Sequence, residues 1–394
     1  MQPTCAICGR KIAPADDSEE HILPGAVGGR RTVRGFLHRD CNHRAGHTWD
    51  AALEKQLRPL ALYFGVKRQS GRTLRMAVTT SAGEALLMNT SGQLEMARPE
   101  IQRTPIAGGE KIRVKAGSIA QARNVLEGVK RKYPKVNVDA VLAGAEIRRS
   151  YAKGLVRLDL NFGGQLSGRS LVKSTLALAH EAGLPVAQSS DALAYLREAD
   201  AEPCFGYYYI DDLVDRRPLA TPLHCVAIDA NPETGLIFGY VEYFGIHRVV
   251  ALLGRDYHGD RIRSVYAIDP RTSEALDVAV RLDFNHADVP AIYEYERDDA
   301  ERREEAFRAV FGPVLASQHA AERDRVVRDS LKFAWDNCGG IQDQPLTAEH
   351  LARLIELFAD RATPWWKHAT GLDDAAARLL ALTYITQVLA ALKS

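Results

Sequence analysis

Cys5-Ala6-Ile7-Cys8 and His38-Arg39-Asp40-Cys41 bracket the segment that decides the N-terminal fold, and between them runs Glu19-Glu20-His21-Ile22-Leu23-Pro24, followed by Gly28-Gly29. Each bracket sets two soft ligands close enough to share one tetrahedral ion, and thiolates with an imidazole suit Zn²⁺. His38 is the fourth ligand in this reading, with His43 and His47 as alternatives. The intervening residues are then expected to fold back as a hairpin whose ends the zinc ties together. So small a module buries little apolar surface, and a structural metal supplies the missing stability. Three of six cysteines and four of twelve histidines fall within the first 47 residues, a clustering that argues for metal rather than disulfides.

Inside the brackets lies a set of residues suited to phosphodiester chemistry. His21 follows Glu20 directly and lies between the two metal pairs. A neutral imidazole is a suitable general base near physiological pH. Glu20 supplies a hard anionic oxygen, expected on the opposite face of its strand, and Asn42 a hard neutral oxygen from the following helix. Two such ligands with waters and phosphate oxygens suit Mg²⁺ or Mn²⁺. Asp50, two helical turns on, is read as an anchor through hydrogen bonds.

Taken together, Cys5-x-x-Cys8, Glu20-His21-Ile22-Leu23-Pro24, Gly28-Gly29, Cys41-Asn42, Gly46 and Asp50 resemble the HNH (ββα-metal) endonucleases with a zinc knuckle. The resemblance covers roughly residues 1–70. It implies His21 as general base, Glu20 as the acidic ligand of a catalytic divalent ion, Asn42 as the third motif position, and DNA as substrate. His38 stands where a cysteine is common.

Charge agrees with a nucleic-acid-facing N-terminus. Residues 1–75 hold 13 Lys plus Arg against 7 Asp plus Glu, whereas the whole chain of 394 residues carries only +1. Arg30, Arg31, Arg34, Arg39, Arg44, Lys67, Arg68 and Arg72 surround the motif as candidate phosphate contacts. The near-neutral total excludes a uniformly basic coat. No stretch approaches the roughly 18 to 20 apolar residues that span a bilayer. The first residues lack the apolar core of a signal peptide, so a cytoplasmic protein with no membrane partner is expected.

The remainder reads as α+β. Leu53, Leu57, Leu60 and Ala61 recur at helical spacing, 73–115 suggests short strands and turns, and Ser118 is placed to cap a helix through Lys132. Residues 155–162 alternate with period two and predict a strand, followed by a helix from Ser170. Residues 205–284 predict antiparallel sheet, and helices dominate from 298. Three domains follow: 1–70 the nuclease module, 71–297 an α+β domain for targeting, sensing or dimerisation, and 298–394 a helical region. Gly163-Gly164-Gln165-Leu166-Ser167-Gly168-Arg169-Ser170 nearly matches a phosphate-cradling loop, with arginine in the lysine position, and is read as a turn or a helix start. Cys204, Cys225 and Cys338, the run 205–209 and Trp365-Trp366 are read as packing. The expected function is a metal-dependent DNA endonuclease of restriction or antiphage defence type, active as a homodimer and answering to an unknown activating ligand. The competing class is a zinc-dependent nucleic-acid-binding or sensor protein without turnover.

Overall fold

The computed structural model describes residues 2–67, 74–146, 150–341 and 344–391. The chain divides into two compact units that interleave in sequence. One comprises Met1–Thr79, Ala85–Pro99 and Val156–Gly312; the other comprises Thr80–Glu84, Glu100–Leu155 and Pro313–Ser394. These units cut across the three consecutive segments that the sequence suggests.

The first unit is organised around a six-stranded antiparallel sheet. Its spatial order is Glu274–Ala275, Ile262–Asp269, His224–Asn231, Leu236–Tyr243, His247–Gly254, Phe205–Tyr207. Leu236–Tyr243 and His247–Gly254 are buried at every position, so both faces of the sheet are covered. Alternation along the strands sorts the covering. Phe238, Tyr240, Val250 and Leu252 join Leu213, Val289 and Ile292 in one apolar cluster. On the opposite face Gly239 accepts Thr175 of the helix Gln165–Glu181, whose Cβ lies only 2.8 Å from where a glycine-to-alanine methyl would stand.

That helix is the centre of the unit. Every residue from Ser167 to Ala179 except Arg169 is buried, which is the pattern of a helix enclosed on all sides. It begins at Gln165, five residues before the expected start. Gly168 therefore lies inside the helix, where an added Cβ would meet the Tyr195 hydroxyl at 2.5 Å and Phe205 at 2.7 Å. The near-match to a phosphate loop is thus a helical turn chosen for close packing, and Arg169 is spent on the carbonyls of Tyr195 and Glu198. Residues 155–162 correct a second expectation. They run as an irregular connection, with Leu155 78% exposed, and only isolated bonds such as Arg157 N–H to the Thr79 carbonyl at 3.4 Å. Val156 makes only a single bridge beside the end of the strand Met76–Thr79, and no continuous ladder follows among the described residues, so period-two alternation alone does not produce a strand.

The second unit contains the hairpin Glu100–Ile106/Gly109–Lys115 and the helix Ile119–Lys132, capped by Ser118 accepting from Gln121 N–H at 3.2 Å. The helices Ala348–Thr370 and Asp374–Ala391 pack through Phe358, Ala362, Trp366, Ala377, Ala381 and Ile385. Trp365 and Trp366 are both core residues here. Among the described residues, no helix is long and apolar enough to cross a membrane.

Candidate functional site

The two knuckles meet. The ligand atoms of Cys5, Cys8, His38 and Cys41 all lie within 4.8 Å of one another. The first knuckle is a tight turn, with Gly9 N–H donating to the Cys5 carbonyl at 2.9 Å and Cys5 N–H to the Arg10 carbonyl at 2.8 Å. Gly9 sits at φ +71°, where a side chain would be strained. His38 is presented from the residue before the helix Arg39–Ala45, and Cys41 from its first turn. The Lys11 carbonyl oxygen, 3.0 Å from His38 Nε2, can only accept. It therefore fixes the proton on Nε2 and leaves Nδ1, 3.1 Å from Cys8 Sγ, free to ligate.

Burial pushes the Cys8 thiol up, but Arg10 Nε–H at 3.5 Å and His38 outweigh it and bring the thiol down to about 6. Three sulfurs and one imidazole, the imidazole held by a backbone carbonyl, are the donor set of a structural zinc site. His38 occupies the fourth position. His43 and His47 lie elsewhere, exposed on successive helical turns with their Nε2 atoms 3.0 Å apart. Their i, i+4 spacing is the sequence signal that sets them side by side on one helix face.

From the knuckle the chain enters a short hairpin in which Glu20 pairs with Val33 and His21 with Thr32. Ile22 and Leu23 are wholly buried behind it. The loop closes through Gly28, at φ +103°, and Gly29, whose added Cβ would stand 1.8 Å from the Leu23 carbonyl oxygen. The glycine pair is therefore required by the fold of the hairpin. Three groups from the sheet body hold this loop in place. His224 Nε2–H donates to the Val27 carbonyl at 3.0 Å, Ser273 Oγ–H to the Gly28 carbonyl at 3.0 Å, and the Tyr266 hydroxyl accepts from Arg31 N–H.

Alternation puts the two motif residues on opposite sides of the strand. His21 is half-buried, while Glu20 is 3% exposed. The Glu20 carboxylate faces Lys173 of the central helix and accepts a hydrogen bond from its ammonium. Asp50 shares the same ammonium at 2.8 Å and takes a second bond from Ser170 Oγ at 2.6 Å. Burial alone would strip Lys173 of its proton; the Asp50 and Glu20 carboxylates reverse this and hold it charged.

Asn42, in the helix Arg39–Ala45, donates from Nδ2 to the Glu19 carbonyl at 3.0 Å and to Ser18 Oγ at 3.2 Å. These bonds pin the helix to the two residues that lead into the strand Glu20–His21. Its Oδ1 has no hydrogen-bond donor among the described residues.

The arginines are less free than their number suggests. Arg31 pairs with Glu181 at 2.7 Å and Arg34 with Glu19. Arg30 donates to the Lys67 and Gly29 carbonyls, Arg39 to the Ala15 carbonyl, and Arg44 to Cys41 Sγ at 3.5 Å. Lys67 is exposed. Arg68 and Arg72 lie outside the described residues.

A two-stranded hairpin followed by a helix, stapled at its base by a Cys₃His cluster, defines an HNH-type module. Residues 5–58 match the family model of the HNH endonucleases. No curated protein and no solved structure matches the chain.

Proposed function

We propose that the protein is a metal-dependent endonuclease that hydrolyses phosphodiester bonds of DNA and serves in restriction or antiphage defence. The observation that carries this reading is a half-buried imidazole, His21, on the hairpin, with the Asn42 amide tied by Nδ2 to Ser18 and Glu19 just before it in the chain. His21 takes the proton from an attacking water. Asn42 Oδ1 and Glu20 would hold a divalent ion, Mg²⁺ or Mn²⁺, which supplies charge neutralisation at the scissile phosphate. Asn42 fits that duty as it stands. Glu20 fits only when Lys173 gives it up, because its charge is already neutralised there. The zinc cluster keeps hairpin and helix in register and takes no part in the chemistry. The cations around the motif, Lys67 among them, contact phosphates without reading sequence. Pairing of two copies would convert single-strand cuts into double-strand breaks.

One observation favours a second reading, a zinc-dependent nucleic-acid-binding protein without turnover. It is the same Glu20–Lys173 pair, which occupies the carboxylate that metal loading needs. Supercoiled plasmid, incubated with Mg²⁺ or Mn²⁺, separates the two. Nicking by the wild type that His21→Ala abolishes, with zinc retained in both, is the expected outcome. Plasmid left intact by zinc-loaded protein that nevertheless binds it would overturn the nuclease in favour of the second reading.

A further inference from the structure

Away from the HNH-type module, the second unit carries a cationic ribbon to which nothing above assigns a role. Residues 100–135 contain nine Lys or Arg against three Glu, in a chain that is otherwise nearly balanced. The strands Glu100–Ile106 and Gly109–Lys115 pair with Ile106 opposite Gly109, which closes a two-residue turn. Period two places Lys111, Arg113 and Lys115 on one face of the second strand, about 7 Å apart. The register puts Thr104, Gln102 and Glu100 directly opposite them, on the same face. Ile112 and Val114, on the other face, are half-buried, and the helix Ile119–Lys132 packs against this strand. The second strand therefore turns Ile112 and Val114 toward the helix and Lys111, Arg113 and Lys115 to solvent, while the first strand is exposed along its whole length.

The anions nearby are already committed. Glu110 accepts from Arg103 at 3.1 Å and from the Tyr133 hydroxyl at 2.8 Å, and Glu100 pairs with Lys115 at 3.1 Å. Lys111 and Arg113 hold no ion pair among the described residues. Protection of a sheet edge would explain scattered charge. It does not explain an aligned row of cations whose central member, Arg113, stands beside a primary amide, Gln102.

We infer that this ribbon is a second nucleic-acid-binding surface, which lays its Lys111–Arg113–Lys115 face into the major groove of duplex DNA. That groove admits a two-stranded ribbon, and a guanidinium and a carboxamide side by side match the acceptor edge of guanine and the mixed edge of adenine. Lys111 contacts phosphate and supplies salt-dependent affinity, while Gln102 and Arg113 read base edges. The choice of DNA as partner rests on the nuclease reading; the cationic face does not. In that arrangement target choice lies in the second unit and bond cleavage in the first.

The test uses the full zinc-loaded chain carrying His21→Ala, so that binding is measured without cleavage. Fluorescence anisotropy with a duplex of mixed sequence compares it with the same chain carrying Lys111→Ala/Arg113→Ala. We expect at least about tenfold weaker binding, and a plot of log affinity against log salt shallower by about one, the share of the Lys111 phosphate contact. Lys332→Ala/Lys367→Ala, which removes two exposed cations of the same unit already paired with Asp336 and Asp374, is expected to change neither. Unchanged affinity in the ribbon variant, or an equal loss in the control variant, overturns the inference. So does ribbon-dependent binding to phosphatidylserine vesicles with none to duplex. Plasmid nicking, assayed separately on chains that retain His21, reports on the nuclease, so the two readings can fail independently.

Discussion

Lys173 meets Glu20 across 153 residues of sequence, and both side chains are almost wholly buried. Asp50, the last residue of the helical turn Gly46–Asp50, takes the other side of the same ammonium. One lysine thus joins the hairpin strand, the helical turn that follows the knuckle helix, and the central helix of the body. The HNH-type module is built into its unit, not appended to it.

Replacing that lysine leaves two carboxylates in a dry site without a counter-charge. Lys173→Met is expected to cost about 3–5 kcal/mol, the usual penalty for breaking a buried pair from one side. The triple variant Lys173→Met/Glu20→Gln/Asp50→Asn removes the stranded charge and is expected to recover most of the loss. Urea denaturation of both, beside the wild type, checks this. A single variant as stable as the wild type would show that the pair does not hold the module.

Zinc is expected at one ion per chain by elemental analysis. His38→Cys should keep it, because a Cys₄ set serves the same tetrahedral geometry. Cys41→Ser should lose it. Binding to the folded state alone contributes about 4 kcal/mol when free zinc stands a thousandfold above its Kd, and the melting temperature of Cys41→Ser should fall accordingly. A Cys41→Ser protein that retains zinc would move the site to other ligands, with His43 and His47 the alternatives that the sequence offers.

Gly29→Ala tests the loop behind the hairpin. Its methyl would stand 1.8 Å from a backbone oxygen, which no rotamer change can relieve. The backbone around Leu23 must shift, at a cost of about 3 kcal/mol, the upper end for forcing extra atoms into a packed site. Nicking should fall with it, since His21 lies two residues from the displaced carbonyl. Wild-type stability in this variant would mean that the loop has slack the geometry does not reveal.

Much of this was legible in sequence, because ligand chemistry and hydrophobic period are local signals. The four zinc ligands, the separation of Glu20 from His21 by strand alternation, the buried Leu53, Leu57 and Leu60, the antiparallel sheet and the C-terminal helices all follow from nearest neighbours in the chain. Lys173 was not legible. In sequence it is a lysine in an apolar helix, and only the packing of that helix against the hairpin reveals two carboxylates around it. The connection 155–162 misled for the converse reason: its alternation is real, but a strand needs a partner that sequence does not provide. Gly168 looked like a turn signal because helix interiors rarely favour glycine; its value is the close approach of Tyr195 and Phe205. The cationic ribbon was masked by counting charge over all residues after 75, where acidic helices outweigh it.

Acid should destabilise the first unit through two histidines of the sheet. His224 and His247 are fully buried, and burial lowers both from 6.5 to about 4. His224 accepts from Phe244 N–H at Nδ1, so it must be neutral there; His247 stacks on Phe162 at 4.5 Å, with neither ring nitrogen partnered among the described residues. In the unfolded chain both take up protons near 6.5, and in the folded chain only near 4. The unfolded state thus binds more protons between those values, and stability falls as pH drops from about 6.5 toward 4. Each group accounts for about 3 kcal/mol of that loss. His247→Phe keeps the stack, removes an unsatisfied polar group, and should leave stability at pH 7.5 unchanged or slightly higher. Its urea midpoint should also fall less steeply between pH 6.5 and 4.5 than that of the wild type. Equal acid sensitivity in the two proteins would assign the titration to other groups and leave His247 protonated or solvated in the native state.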